Sequence, residues 1–284
     1  MVIISGLVFG TVPFLVKTAY AEGARPEIFV FFRYASLSLV LLPFALRKRE
    51  VFGAFAKHFW IFLLLAALSI ATPLLLYLDY QFTSTSIATT IHFLYPALVA
   101  VISVVFLREK LSPRRLISVI LCGVGIVLMM ELGGQITLPG VLIAAASAVT
   151  WAVYIVVLSK LKAPEMGTEH IIFFIAILSF ALITAVTVLD GAFAACVGQM
   201  TPLGWILSAC VGLVTSVFGI AFFAFGIRKT DAQLAAIAST LEPIVCILMG
   251  VIFLQESFSL RTGIGAALIL TAVILRAWPV KEKA

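Results

Sequence analysis

Ten long apolar runs dominate the sequence. Each holds about the 20 residues that a helix needs to cross the hydrocarbon core of a bilayer, and the linkers between them are short. The runs cover residues 2–20, 27–46, 59–78, 84–107, 113–130, 138–158, 169–189, 203–226, 231–254 and 260–278. Because irregular backbone is not tolerated against lipid, the runs predict helices. The expected fold class is an all-α integral membrane protein with ten transmembrane helices.

The composition excludes the main soluble classes of protein. The chain is 63% hydrophobic and only 11% charged, with a mean hydropathy of +1.21, whereas soluble domains are about 25% charged. One water-soluble core cannot bury that much apolar surface, which rules out a soluble enzyme, a nucleic-acid module and a disordered chain. The four cysteines have no metal-ligand spacing, so we expect no disulfide framework, metal or cofactor.

The basic residues predict the orientation of the spans. Of the 19 Lys and Arg, all but Lys17, Arg25, Arg33 and Arg261 lie in or beside the loops that follow the even-numbered spans. This asymmetry predicts a multi-pass protein of the plasma (inner) membrane with both termini cytoplasmic. The net charge of +6 is then explained by orientation and by anionic lipid, and no nucleic-acid partner is expected.

The first run is interpreted as a span and not as a signal peptide. No basic segment precedes it, and Lys17 interrupts its apolar stretch. The missing basic leader leaves open a shortened N-terminus.

The chain carries a second copy of its own pattern. Residues 83–118 align with residues 230–265 without a gap, and composition bias does not explain the rarer identical residues in one register. These pairs are Pro96/Pro243, Glu109/Glu256, Ser112/Ser259 and Arg114/Arg261.

The duplication predicts two five-helix repeats, residues 1–135 and 136–284. Because five spans is an odd number, the second repeat enters the membrane with inverted orientation. Inverted repeats are typical of secondary transporters, in which the substrate binds near the midplane at the repeat interface.

Paired turns carry a resemblance to a known family. The segments FLREKLS (106–112) and FLQESFS (253–259) resemble the E-x-L-S turn of the EamA-type transporters, in the drug/metabolite transporter (DMT) superfamily. Thr240-Leu241-Glu242-Pro243 looks like the signature of that family's ninth span, and residues 265–270 resemble its final span. Phe9-Gly10 stands where the family often has Trp-Gly, and Trp151-Ala152 stands at the matching place in the second half.

The resemblance implies a ten-helix, inverted-repeat carrier of small metabolites, often an exporter of amino acids or related solutes. It is silent about the particular substrate. The replacement of Trp by Phe9 departs from the family pattern and puts the contribution of span 1 to the site in doubt.

Polar side chains at membrane depth are costly and usually face a cavity. The candidates for a central substrate-binding cavity are polar or aromatic and lie towards the middle of their runs. They are His92, Tyr95, Trp151, Tyr154, Thr240 and Glu242.

Each candidate has a second interpretation. Glu242 is a proton or substrate-amine site or a structural acid bonded to a neighbouring helix. His92 binds a carboxylate or shuttles protons, or it is a buried imidazole bonded to Thr or Tyr of another span. Trp151 and Tyr154 form an aromatic wall for an apolar or cationic group, or they simply pack between helices.

Other residues are assigned to hinges and to an outer vestibule. Pro96 and Pro243 are expected to bend spans 4 and 9 and to act as hinges, because proline removes a helical hydrogen bond. Lys17, Arg33 and Tyr80 are placed at the outer ends of their spans, where the two cations attract a substrate carboxylate or else snorkel to the interface. Tyr80 reads alternatively as part of the interfacial aromatic belt.

Four glycines are expected to allow close helix packing: Gly123, Gly125, Gly219 and Gly226.

A secondary carrier working by alternating access is the function that these patterns favour. No phosphate-binding loop is present for ATP, and no nucleophile–base or metal motif indicates an enzyme. Span 9 contains no Lys or Arg, which favours neutral, zwitterionic or cationic solutes such as amino acids. The alternatives are carriers of phosphorylated or nucleotide-linked metabolites, a channel, or a membrane-embedded enzyme. The partners are the solute and the lipid bilayer, and the chain is a monomer or a homodimer.

Overall fold

Helices make up the ordered architecture of the chain. The computed structural model describes residues 2–48, 50–79, 82, 85–108, 112–129, 137–230, 232–254 and 259–277, and these residues contain no strand. The helices are α1 (Val2–Ala21), α2 (Pro26–Leu46), α3 (Val51–Lys57), α4 (Phe59–Asp79), α5 (Thr85–His92), α6 (Tyr95–Val105), α7 (Pro113–Met129), α8 (Leu138–Lys160), α9 (Thr168–Leu189), α10 (Ala192–Gln199), α11 (Pro202–Val214), α12 (Phe222–Lys229), α13 (Ala232–Ser239), α14 (Leu241–Leu254) and α15 (Leu260–Ala277). A π-helical segment, Thr215–Ala221, joins α11 to α12.

Several helices have the length and hydropathy of membrane spans. Among the described residues, five segments meet both criteria: Pro26–Leu46, Phe59–Asp79, Leu138–Lys160, Thr168–Leu189 and Pro202–Lys229. Shorter apolar helices accompany them. The prediction of an all-α, multi-span membrane protein is confirmed, while the count of ten spans stays a prediction.

Spans 4 and 9 are each divided into two helices. The first half of span 4 ends at His92, and the first half of span 9 ends at Ser239, which is the aligned position. Pro96 and Pro243 lie in the first turns of α6 and α14, where backbone N–H groups have no helical acceptor in any case. The expected bend inside a continuous helix is therefore a break just before each proline.

The helices pack in pairs that a duplicated chain would produce. Helix α1 packs on α14, and its counterpart α8 packs on α6, the counterpart of α14. The corresponding helices α2 and α9 pack on each other, as do α7 and α15. The division into repeats at residue 135 stays a prediction, which this pattern supports.

Loops with basic residues meet at one end of the bundle. Lys48 Nζ donates to the carbonyl oxygen of Glu165 at 3.0 Å, and the Arg228 guanidinium donates to the carbonyl of Leu161. At a separate junction, the backbone N–H of Thr201 donates to the Glu22 carbonyl at 3.2 Å. The orientation of these ends in the membrane stays a prediction.

Three of the four glycines make the close approaches expected of them. A Cβ atom on Gly125 would lie 2.7 Å from the carbonyl oxygen of Gly265, and one on Gly219 would lie 2.7 Å from the Phe9 ring. Gly226 faces Val2 closely. The prediction is wrong for Gly123, because a Cβ there would meet none of the described residues within 4 Å.

Replacing Thr201 by alanine is expected to lower stability by about 1–2 kcal/mol. Thr201 is the N-cap of α11: its Oγ1 accepts from the Gly204 N–H at 3.1 Å and donates to Glu22 Oε2 at 2.5 Å. Thermal unfolding of the purified protein in detergent measures the loss. Thr271→Ala, which removes an exposed hydroxyl inside α15, is the control and should change stability by less than about 0.5 kcal/mol. Equal losses in both variants would refute the cap.

Candidate functional site

A cavity lies between the two halves of the bundle. About 660 Å³ of space between its walls is free of protein atoms, a figure that includes its open mouth. Residues of α1, α2, α4, α5, α8, α14 and the π-helical segment line it. They are Phe9, Val12, Arg33, Tyr34, Ser69, Thr72, Pro73, Leu76, Tyr77, His92, Trp151, Tyr154, Ile220 and Glu242.

Four of the six predicted binding residues reach this wall: His92, Trp151, Tyr154 and Glu242. Tyr95 and Thr240 are not among the lining residues. Both side chains are buried and engaged by neighbours at the two helix breaks. Their depth in the membrane was inferred from the sequence, but the breaks set the direction in which they point.

Tyr95 and Thr240 tie the broken helices to each other and to α7. The hydroxyls of Tyr95 and Ser239 hydrogen-bond across α6 and α13. Thr240 Oγ1 donates to the Ile237 carbonyl at 2.6 Å and accepts from Cys122 Sγ at 3.2 Å. These contacts stabilise the breaks beside the cavity.

Arg33 lies in the wall of the cavity itself. Its side chain is only 8% exposed, and its guanidinium carbon sits 5.1 Å from the centroid of the Phe9 ring. Within the described part of the chain, its Nε has no hydrogen-bond partner. Arg33, in the third turn of α2, is thus part of the cavity wall, and its placement in an outer vestibule, with the alternative of snorkelling, stays a prediction. A buried cation with an unused donor favours an incoming anion.

The other two vestibule candidates are less informative. Tyr80 lies outside the described residues. Lys17 lies in α1, and the structure describes only its helical backbone. Its role in a vestibule stays a prediction.

Glu242 supplies the opposite charge. It lies in the first turn of α14, where the helix dipole favours a carboxylate, and it interacts electrostatically with Arg33. Among the ion pairs and hydrogen bonds of the described residues, none joins Glu242 to Arg33. The cavity therefore presents one guanidinium and one carboxylate to the same space.

His92 is held by a neighbouring span. Its Nδ1 lies 2.9 Å from Ser147 Oγ of α8, and its ring centroid lies 5.5 Å from that of Tyr95. This is the arrangement expected of a buried imidazole bonded to another span, although the partner is a serine and not the expected Thr or Tyr. Its edge still faces the cavity.

A stack of aromatic rings forms one wall. Trp151 stacks on Tyr154 with centroids 5.1 Å apart and planes 3° apart, and on Phe223 at 5.1 Å and 15°. Tyr34 stands nearby, where its hydroxyl donates to the Ser69 carbonyl at 2.7 Å. The wall suits a flat apolar group more than a flexible polar one.

Sequence reasoning missed the contribution of α4. Ser69, Thr72 and Pro73 line the cavity, and the Thr72 hydroxyl lies 2.9 Å from that of Thr150 on α8. The signal was present in the sequence: two hydroxyl residues and a proline follow each other at helical spacing inside an otherwise apolar run.

The π-helical segment also borders the cavity. Ile220 lines it, and Gly219 lets the Phe9 ring approach. Widened helical turns of this kind occur frequently at functional sites.

Comparison with known proteins finds a family of transporters and relatives that are named as transporters. Residues 1–131 and 138–278 match the family model described as the EamA-like transporter family. An uncharacterized transporter of Archaeoglobus fulgidus is 25% identical over 98% of this chain and 94% of its own length. The aromatic amino acid exporter YddG of Ancylobacter novellus is 27% identical over 84% of this chain and 77% of its own length.

A solved crystal structure shares the fold. It superimposes with a TM-score of 0.75 at 19% sequence identity, covering 96% of this chain and 94% of the other. At this identity the likeness shows the fold alone.

Proposed function

The chain belongs to the EamA-like transporter family, and we propose that it is a secondary carrier that exports a small zwitterionic solute with an aromatic side chain. The observation that carries this proposal is the facing of Arg33 and Glu242 into one aromatic-walled cavity. Amino acids of the phenylalanine and tryptophan type have the matching charges and shape.

The two charges argue for a zwitterion. A guanidinium binds a carboxylate through two parallel hydrogen bonds, and Glu242 accepts from an ammonium group. A phosphorylated solute brings at least two negative charges, and among the described lining residues one arginine faces one carboxylate. Span 9 itself contributes no cation to the cavity. The cation is Arg33, which belongs to α2.

The aromatic rings argue for the side chain. Trp151, Tyr154 and Tyr34 border the cavity, and stacked aromatic pairs contribute about 0.5–1.5 kcal/mol beyond the area they bury. The name of the YddG relative points in the same direction for the solute and for export.

Alternating access is the proposed mechanism. Repeats at 1–135 and 136–284, with both termini cytoplasmic in the plasma membrane, would give two related conformations open to opposite sides. The paired helix contacts and the aligned breaks of spans 4 and 9 support this arrangement.

Counterflow in liposomes tests the function. Vesicles preloaded with unlabelled phenylalanine or tryptophan should accumulate the labelled amino acid with saturable kinetics. Phenethylamine, which lacks the carboxylate, and phenylpropionate, which lacks the ammonium group, should exchange much more slowly. Non-saturable flux would indicate a channel, and faster exchange of a sugar phosphate would overturn the substrate class.

Replacing Trp151 by leucine is expected to reduce the preference for phenylalanine over leucine by roughly two- to tenfold, because the stacking surface is lost. Competition between the two amino acids in the counterflow assay measures this ratio. Trp60→Leu is the matched control, since Trp60 is 77% exposed on the outside of α4. If Trp151→Leu slowed both solutes equally, the aromatic wall would not set the specificity.

A further inference from the structure

We propose that two side-chain pairs, Tyr95–Ser239 and His92–Glu242, close the cavity alternately, one pair in each facing state. This inference rests on the proposed alternating-access transport. It assigns a conformational role to Tyr95, Ser239 and His92, which the proposed solute contacts do not use, and a second role to Glu242.

The repeat register relates the two pairs. The ungapped alignment that pairs residue 83 with residue 230 also pairs His92 with Ser239 and Tyr95 with Glu242. In each half, one of these residues ends the helix before the break and the other lies in the first turn after it. A contact from Tyr95 to Ser239 therefore has one counterpart, from Glu242 to His92.

The structure shows one pair closed and the other open. The hydroxyls of Tyr95 and Ser239 are hydrogen-bonded, and the two side chains are 1% and 3% exposed. His92 and Glu242 both line the cavity, and no hydrogen bond among the described residues joins them. If the repeats exchanged conformations, the imidazole N–H would donate to the carboxylate, and Tyr95 and Ser239 would part.

A serine in α1 supplies an independent observation. Ser147, which holds His92, lies four residues before Trp151, and Ser5 lies four residues before Phe9, the residue that matches Trp151. Ser5 is fully buried, and its Oγ has no hydrogen-bond partner among the residues that the structure describes. The neighbouring residue, Gly6, lies close to the Ser239 carbonyl: a Cβ on Gly6 would be 3.6 Å from that oxygen.

Ser5 is thus the counterpart of Ser147. Ser147 is hydrogen-bonded to His92, but Ser5 is not bonded to Ser239, the residue that matches His92. A buried hydroxyl without a partner is unfavourable, and the exchange supplies one. In the opposite-facing state Ser239 leaves Tyr95 for Ser5, while His92 leaves Ser147 for Glu242. The hydroxyl of Ser5, which has no partner among the described residues in this structure, would gain Ser239 as its partner in the opposite-facing state.

Sidedness of labelling tests the exchange. A reporter Val12→Cys in the cavity wall, in the full chain with its native cysteines replaced by serine, is labelled by a membrane-impermeant maleimide in vesicles of both orientations. Tyr95→Phe removes a bond of the present state and should shift the ratio of labelling from the two sides by roughly three- to tenfold towards the opposite-facing state. Ser5→Ala removes a bond of the opposite state and should shift the ratio by a similar factor the other way.

Two controls separate exchange from general disturbance. Tyr20→Phe removes a buried tyrosine hydroxyl from α1, at a residue that does not line the cavity. Ser38→Ala removes another buried serine hydroxyl without a partner. Neither should change the sidedness. The proposal is overturned if Tyr95→Phe and Ser5→Ala shift the ratio in the same direction, if neither shifts it, or if the controls shift it equally.

The labelling needs no transported solute, so the two proposals fail separately. Opposite shifts without amino acid counterflow would remove the proposed substrate and keep the alternate closures. Amino acid counterflow with unchanged labelling would remove the closures and keep the carrier.

Discussion

Replacing Arg33 by glutamine should lower the counterflow of phenylalanine by more than about thirtyfold. Loss of one member of a buried charge pair costs about 2–5 kcal/mol, and here the pair forms between the guanidinium and the solute carboxylate. Arg33→Lys should retain part of the flux, because the charge stays while the planar, two-pronged donor and its position over Phe9 are lost.

The solute itself provides the sharper comparison. Phenethylamine has no carboxylate, so Arg33→Gln should change its exchange much less than that of phenylalanine. Arg25→Gln is the matched control: Arg25 precedes the same helix, its side chain is 41% exposed, and its Nε lies 3.4 Å from Glu27 Oε2. Equal loss for both solutes, or equal loss in the Arg25 variant, would contradict a carboxylate contact at Arg33.

Replacing Gly212 by alanine should lower stability by about 1–3 kcal/mol, the usual cost of overpacking, and should impair transport with it. A Cβ on Gly212 would lie 2.6 Å from Phe32 Cβ and 2.8 Å from the backbone nitrogen of Arg33. These are backbone and Cβ atoms of α2, which cannot move aside as the end of a flexible side chain can. The helices α2 and α11 must therefore separate, and Arg33 moves with α2.

The same substitution elsewhere gives the control. A Cβ on Gly123 in α7 would have no neighbour within 4 Å in the part of the chain that the structure describes, and alanine favours a helix over glycine by up to about 1 kcal/mol. Gly123→Ala should therefore leave the melting temperature unchanged or raise it. Similar melting temperatures for the two variants in detergent would show that α2 and α11 yield easily at Gly212.

Length and hydropathy were enough to locate most helices. Span 2, predicted at 27–46, is the helix Pro26–Leu46, and span 7, predicted at 169–189, is Thr168–Leu189. A bilayer fixes the length of an apolar helix closely, so the sequence carries this information. The breaks after His92 and Ser239 were not predicted. In each span the helix before the break is less apolar than the helix after it, but an apolar run does not show where one helix ends and the next begins.

The cavity was predictable only in part. His92, Trp151, Tyr154 and Glu242 stand out as polar or aromatic groups at depth, and the structure brings them together. Arg33 could not be placed, because the direction of its side chain depends on how α2 packs against α9, α11 and the π-helical segment. Thr240 faces away because the break, and not an unbroken helical period, sets its direction.

The π-helical segment allows one long helix to direct its two ends towards different neighbours. Each hydrogen bond in it spans one residue more than in an α-helix, so everything that follows is turned relative to ordinary winding. Upstream, Gly212 must point at α2; downstream, Phe223 must point at Trp151. If residues 215–221 were wound as an ordinary α-helix, the same number of residues would turn α12 by about 100°, and Phe223 would no longer stack on Trp151. The wider turn therefore sets the direction of α12, so the segment that contributes Ile220 to the cavity also determines the geometry of the aromatic wall.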